Sequence, residues 1–165
     1  MNLAHIHLLL NHIPLIGLPI AIAFLGYGLW TQSPPMQKFS LFIITCLALV
    51  VLPIYFTGEP AEKLVEHLPG VGESFIESHE GAAQYSLALT LIVGVSAIVG
   101  LLFNKHALSR RINISVLVIS SIAVLSLAYT ANLGGKIRHT EVRAVSDAIS
   151  GAKAGAGGEK HDDRD

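Results

Sequence analysis

Residues 39–56 read FSLFIITCLALVVLPIYF, a run without a charged residue that is close in length to a membrane-spanning helix. A helix needs about 20 mostly apolar residues, with a range of about 17–25, to cross the hydrocarbon core of a bilayer. Three further uncharged runs occupy residues 13–30, 82–103 and 112–133. Because backbone polar groups in lipid must be hydrogen-bonded within the protein, the four runs predict four transmembrane helices. The predicted fold class is all-α, a four-transmembrane-helix bundle with up-down topology over residues 1–143.

The composition of the chain agrees with a lipid bilayer as its surroundings. Apolar residues make up 52% of the chain and charged residues 14%, whereas a soluble domain carries about 25% charged residues. The formal net charge of -1 excludes a strongly basic nucleic-acid binder. Residues 144–165 are rich in Ala, Gly and mixed charge, and they predict a disordered tail.

The basic residues predict how the helices are oriented in the membrane. With four spans, the two termini and the middle loop share one side, and the two short loops share the other. The short loops carry Lys38, Lys105, Arg110 and Arg111, whereas the middle loop carries Lys63 alone. The positive-inside rule therefore predicts cytoplasmic short loops and termini on the outer side. Three basic residues that follow the last span weaken this bias: Lys136, Arg138 and Arg143.

Most of the histidines map to the outer side under this topology. They are His5, His7, His12, His67, His79 and His139, while His106 lies on the other side and His161 in the tail. The order of the helices alone brings residues that are distant in sequence to one membrane depth. Neutral imidazole is the commonest metal ligand in proteins, and it also ligates haem iron.

Four of these histidines are candidate cofactor ligands: His12, His79 and His139 first, and His7 next. Arg138 could neutralise a haem propionate, and Glu59 or Glu80 could orient a ligating imidazole or join a metal site. The alternative for each histidine is an amphipathic ring that rests at the interface without a ligand, and this is the preferred interpretation for His5 and His67. The spacing matches no zinc-finger or zincin pattern, so the prediction depends on placement alone.

Three motifs resemble one known family. His7-Leu-Leu-Leu-Asn-His12-Ile-Pro14 resembles the opening motif of a bacterial membrane family called domain of unknown function 2231. The segment Ser78-His79-Glu80-Gly81-Ala82-Ala83 resembles the histidine that opens the family's third helix. The ending Ala131-Asn-Leu-Gly-Gly-Lys-Ile-Arg-His139 resembles the family's closing glycine pair and histidine, although this histidine follows the glycines sooner than in many members. The similarity covers roughly residues 4–143.

The resemblance implies a redox setting at the bacterial inner membrane, where the outer side predicted for both termini is the periplasm. Some relatives in that family are joined to cytochrome c-type domains, which implies a respiratory partner of that kind. This chain has no Cys-x-x-Cys-His motif, and its single cysteine, Cys46, lies within an apolar run. It therefore does not attach haem c in the usual way.

Three functional hypotheses follow. The leading one is a haem b-binding electron-transfer subunit, with two histidines from different helices as axial ligands and a quinol or a cytochrome c-type protein as partner. The second is a copper, iron or zinc site formed by His12, His79 and His139 with Glu59 or Glu80. The third is a structural subunit whose histidines bind nothing. The sequence favours a redox or binding subunit over a stand-alone enzyme, and it is compatible with a homo- or a hetero-oligomer.

Overall fold

Four long α-helices account for most of the chain. The computed structural model describes residues 2–68, 71–104 and 108–139. The helices are α1 (Leu3–Trp30), α2 (Pro34–Glu62), α3 (Glu73–Leu102) and α4 (Ser109–Arg138). No strand occurs in these described ranges, and each helix is long and apolar enough to cross a membrane. The predicted all-α, four-helix fold is thus confirmed, while the predicted tail at 144–165 lies outside the described residues.

The helices extend beyond the uncharged runs that predict them. α1 begins at Leu3 because Asn2 caps it: the Asn2 side-chain oxygen accepts a hydrogen bond from the His5 backbone N–H at 3.0 Å. α3 begins at Glu73, whose negative charge is favourable at a helix N-terminus. The histidines at positions 5, 7, 12 and 79 consequently lie on helices rather than in loops.

The order of the helices around the bundle determines which residues can meet. α1 and α3 each pack against both α2 and α4. α1 therefore lies diagonally opposite α3, and consecutive helices are antiparallel neighbours, as short connections require. We call the end with the α1–α2 and α3–α4 connections the short-loop end, and the opposite end the histidine end.

Apolar side chains fill the centre of the bundle and also cover its outside. The central cluster includes the fully buried Leu18, Leu25, Leu41, Ile44, Val93 and Val116. On the outside, Trp30, Tyr85 and Leu125 are each at least 71% exposed. Contiguous apolar surface of this kind needs an apolar environment. The bilayer supplies it, so the protein is a multi-pass membrane protein.

A glycine allows α2 and α3 to approach closely. A Cβ atom added at Gly94 would lie 2.6 Å from the Cβ atom of Ala48, a separation that atoms cannot adopt. Gly81 on the same helix differs, because an added Cβ would meet nothing within 4 Å. Small residues at such contacts let transmembrane helices gain van der Waals packing.

The close α2–α3 contact predicts that alanine substitutions at Gly94 and Gly81 affect stability differently. Gly94→Ala is expected to lower the thermal unfolding temperature in mild detergent, because overpacking costs about 1–3 kcal/mol. Gly81→Ala is the matched control, and its unfolding temperature should equal or exceed that of the wild type, since alanine is the better helix former. Equal unfolding temperatures for the two variants would contradict the close α2–α3 contact.

Candidate functional site

Two histidines lie at the histidine end on diagonally opposite helices. His7 lies on α1 and His79 on α3, and both side chains are half-buried. Of the four predicted cofactor-binding histidines, these two have half-buried side chains.

Each of these rings donates a hydrogen bond to the backbone of a neighbouring helix. His7 Nδ1 lies 3.0 Å from the carbonyl oxygen of Ile54 on α2, and His79 Nδ1 lies 3.0 Å from that of Thr130 on α4. A carbonyl oxygen only accepts, so Nδ1 must carry the proton in both rings. The lone pair of each neutral ring is then on Nε2, and that atom has no hydrogen bond within the described ranges.

A glycine stands four residues after each accepting carbonyl, and at Gly134 it makes room for the ring. A Cβ atom added at Gly134 would lie 3.0 Å from His79 Cε1, and one added at Gly58 would lie 3.7 Å from His7 Cε1. Each helical hairpin thus carries the same local arrangement: a histidine early in its first helix, and a carbonyl and a glycine late in its second. Gly58 and the Thr130 carbonyl were not predicted, although a glycine near the end of α2 is visible in the sequence.

The other predicted histidines lie elsewhere. His12 is exposed, and its Nδ1 donates to the Leu8 carbonyl of its own helix at 2.7 Å. His139 is exposed where α4 ends. The side chain of Arg138, the predicted propionate partner, lies outside the described part of the structure, as do His106 and His161.

The two predicted acids have partners other than histidine. Glu59 accepts a hydrogen bond from Lys63 Nζ at 2.7 Å, and this bond raises the pKa of the lysine. Glu80 accepts a longer bond, 3.4 Å, from Gln84 Nε2. Backbone carbonyls, rather than these carboxylates, therefore orient the paired imidazoles.

A cluster of hydroxyl groups between α3 and α4 adjoins the His79 contact. Ser86 Oγ lies 2.6 Å from Ser126 Oγ and 2.8 Å from Thr130 Oγ1, and Thr90 Oγ1 donates to the Ser86 carbonyl at 2.6 Å. The cluster fixes the register of α3 against α4, and so places the Thr130 carbonyl beside His79. Sequence reasoning missed it, although the i, i+4 spacing of the two hydroxyl pairs was a usable signal.

The ligand set at the histidine end is small. Within residues 2–68, 71–104 and 108–139, no three His, Cys, Asp or Glu side chains are grouped so that they could hold a metal ion. Two imidazoles that present Nε2 are what a haem iron takes as axial ligands. A hydrogen bond from Nδ1 to a carbonyl is also the usual support of a ligating histidine.

Comparisons were made with protein-family models, curated proteins and solved structures, and nothing in any of the three matched this chain. The resemblance to domain of unknown function 2231 therefore stays a prediction.

Proposed function

We propose that the protein is a haem b-binding electron-transfer subunit whose iron is ligated by His7 and His79. The observation that carries the proposal is the matched pair of half-buried rings on diagonal helices, each with Nδ1 bonded to a carbonyl of the next helix. This leaves two Nε2 atoms as donors to iron. The haem, when bound, supplies reversible transfer of one electron.

The residues around the two rings support this assignment. The Ile54 and Thr130 carbonyls hold the tautomer in which Nε2 is unprotonated, and a ligand nitrogen must be unprotonated to bind a metal. Gly134 lets the His79 ring lie against the backbone of α4. The apolar side chains of the four helices would favour contact with a flat, largely apolar macrocycle.

The position of the pair at one end of the bundle limits the electron route. The hydrocarbon core is about 30 Å thick, so one haem near its edge does not carry electrons across it alone. We infer that the donor, a quinol in the bilayer, and the acceptor, a cytochrome c-type protein, both react at the histidine end. In the proposed orientation this end faces the periplasm of a bacterium.

Haem retention tests the ligand pair. Protein purified in mild detergent should contain non-covalent haem b with the spectrum of a six-coordinate low-spin iron. His7→Ala and His79→Ala should each lower the haem content to about a tenth of the wild-type value or less, since each removes an axial ligand. The measurement is haem per protein after extraction with acidified solvent.

His12→Ala is the matched control, because His12 lies on the same helix as His7 but is exposed and bonded to its own helix. It should retain haem, as should His139→Ala. Colourless wild-type protein, even with added haem precursor, would overturn the proposal. Copper, iron or zinc lost on substitution of His12, His79 or His139 would then favour the metal site.

A comparison of alanine substitutions at the adjacent Gly134 and Gly135 distinguishes a displacement of the His79 ring from a general destabilisation of α4. An added Cβ at Gly134 would lie 3.2 Å from His79 Nδ1, whereas one at Gly135 would meet nothing within 4 Å. Gly134→Ala should displace the ring from the Thr130 carbonyl and weaken haem retention by about 10–100-fold, as loss of a supporting contact does at metal sites. Gly135→Ala should titrate with haem like the wild type, and equal weakening in both would contradict the role of Gly134.

Cysteine labelling in intact cells tests the orientation. In a Cys46→Ala background, a cysteine at Ser74 should react with an impermeant thiol reagent, whereas one at Ser33 should react only after the cells are permeabilised. The reason is that these positions lie at opposite ends of the bundle, and the basic short-loop end is expected in the cytoplasm. The reverse pattern would place the histidine end in the cytoplasm and exclude a periplasmic electron acceptor.

A further inference from the structure

His12 presents a hydrogen-bond acceptor on the lipid-facing side of α1. Its Nδ1 donates to the Leu8 carbonyl, so the lone pair of the neutral ring is on Nε2. The side chain is exposed, and Nε2 has no hydrogen bond within residues 2–68, 71–104 and 108–139. Trp30, whose residue type is enriched at membrane interfaces, ends α1 about 27 Å away. Because the hydrocarbon core is about 30 Å thick, His12 lies just inside its edge, where a polar atom calls for a partner.

Asn132 of α4 lies across the groove between α1 and α4 from His12. These two helices touch at Gly26, where an added Cβ would lie 3.9 Å from Leu117 Cδ1. Counted from that contact toward the histidine end, His12 is about 21 Å and Asn132 about 22 Å away along its own helix. Both side chains are exposed, and the Asn132 amide has no hydrogen bond to any described residue. The two polar groups therefore lie at one depth on the lipid-facing side of the bundle.

Small residues leave open space beside Asn132 in this α1–α4 groove. A Cβ atom added at Gly135, less than one turn farther along α4, would meet nothing within 4 Å. Ala128 and Ala131 are small and exposed, and among the described residues α1 and α4 make the least extensive contact of the neighbouring helices. Packed helices lie about 8–10 Å apart, a separation that a flat ring with an oxygen at each end can bridge.

We propose that the α1–α4 groove binds the headgroup of a membrane quinol. One quinol hydroxyl donates to His12 Nε2, and the opposite oxygen accepts a hydrogen bond from the Asn132 amide. A quinol combines hydroxyl groups with a flat apolar ring, and its apolar tail lies among the lipid chains. The inference rests on the proposed electron-transfer function, which provides the reason for a quinol as donor. His7, the proposed haem ligand, is only about 7.5 Å from His12 along α1.

The tautomer of His12 makes the groove selective for the reduced form of the ligand. The oxygens of a quinone only accept hydrogen bonds, as Nε2 does, so a bound quinone leaves Nε2 without a donor. The Asn132 amide both donates and accepts, so it does not distinguish the two forms. We therefore expect the hydroxyl form to bind about tenfold more tightly, which is the factor that one net hydrogen bond contributes.

The test is thermal unfolding of the full chain in mild detergent with the monomethyl or the dimethyl ether of duroquinol. The monomethyl ether keeps one hydroxyl group, the dimethyl ether has none, and neither forms the quinone while its methyl groups remain. For the same rise in unfolding temperature, the wild type should need at least about tenfold more of the dimethyl ether. In His12→Ala this concentration ratio should fall about tenfold, and because the ratio is compared between variants, detergent partitioning of the ethers cancels.

His5→Ala is the matched control and should keep the wild-type ratio. His5 lies two turns before His12 on the same side of α1, is also exposed, and has its Nδ1 2.9 Å from Asn2 Oδ1. Asn132→Ala should weaken the binding of both ethers by a similar factor, since the amide donates to either oxygen. Dioctanoylglycerol carries a hydroxyl group but no ring, and it should give no rise at these concentrations.

Haem content is measured on the same samples, so that this proposal and the haem proposal fail separately. The quinol site is overturned if neither ether stabilises the haem-loaded wild type, or if His12→Ala keeps the wild-type ratio. It is also overturned if His5→Ala loses that ratio as fully as His12→Ala, or if dioctanoylglycerol is equally effective. Colourless wild type that still shows the hydroxyl-dependent rise would support the groove and overturn the haem.

Discussion

The arrangement at the histidine end depends on one repeated contact, the hydrogen bond from an imidazole Nδ1 to a helix carbonyl next to a glycine. In the first hairpin His7 bonds to the Ile54 carbonyl, and in the second His79 bonds to the Thr130 carbonyl. A helix carbonyl normally has its own i+4 donor, and only an uncrowded backbone allows a ring to reach its second lone pair. Gly58 and Gly134 stand at those i+4 positions, and at Gly134 a Cβ atom would crowd the ring, because it would lie 3.0 Å from His79 Cε1.

The rest of the bundle keeps these two contacts in mutual register. α1 and α3 do not form a main packing pair, so His7 and His79 are positioned through α2 and α4. The close α2–α3 contact at Gly94 joins the hairpins, and the hydroxyl cluster around Ser86 sets the height of α3 against α4. The same histidine-to-carbonyl contact, repeated once in each hairpin, thereby holds one ring on α1 and one on α3 at the same end of the bundle.

The fold was predictable from sequence because charge is so costly in hydrocarbon that four uncharged runs have few other interpretations. Which histidine side chains face the interior of the bundle was harder to predict from the sequence. His7 and His12 are five residues apart, which rotates them by about 140° around a helix, so both cannot face the same partner. Which of them faces inward depends on packing against α2. The groups that orient the rings could not be predicted either, because they are backbone carbonyls, which every residue has, and only the packing of the helices determines which one lies beside a histidine.

The two ends of the bundle differ in the chemistry that they present. At the histidine end, carbonyl oxygens take the imidazole protons, and nitrogen lone pairs remain for a metal. At the short-loop end, the side chains of Lys38 and Arg110 lie beside the amide groups of Gln37 and Asn113. Fully buried apolar residues such as Leu25, Val93 and Val116 separate the two ends. A change at the short-loop end can therefore act on the histidine pair only by stabilising or shifting the helices, because neither charge nor a side-chain hydrogen-bond chain in the described core connects them.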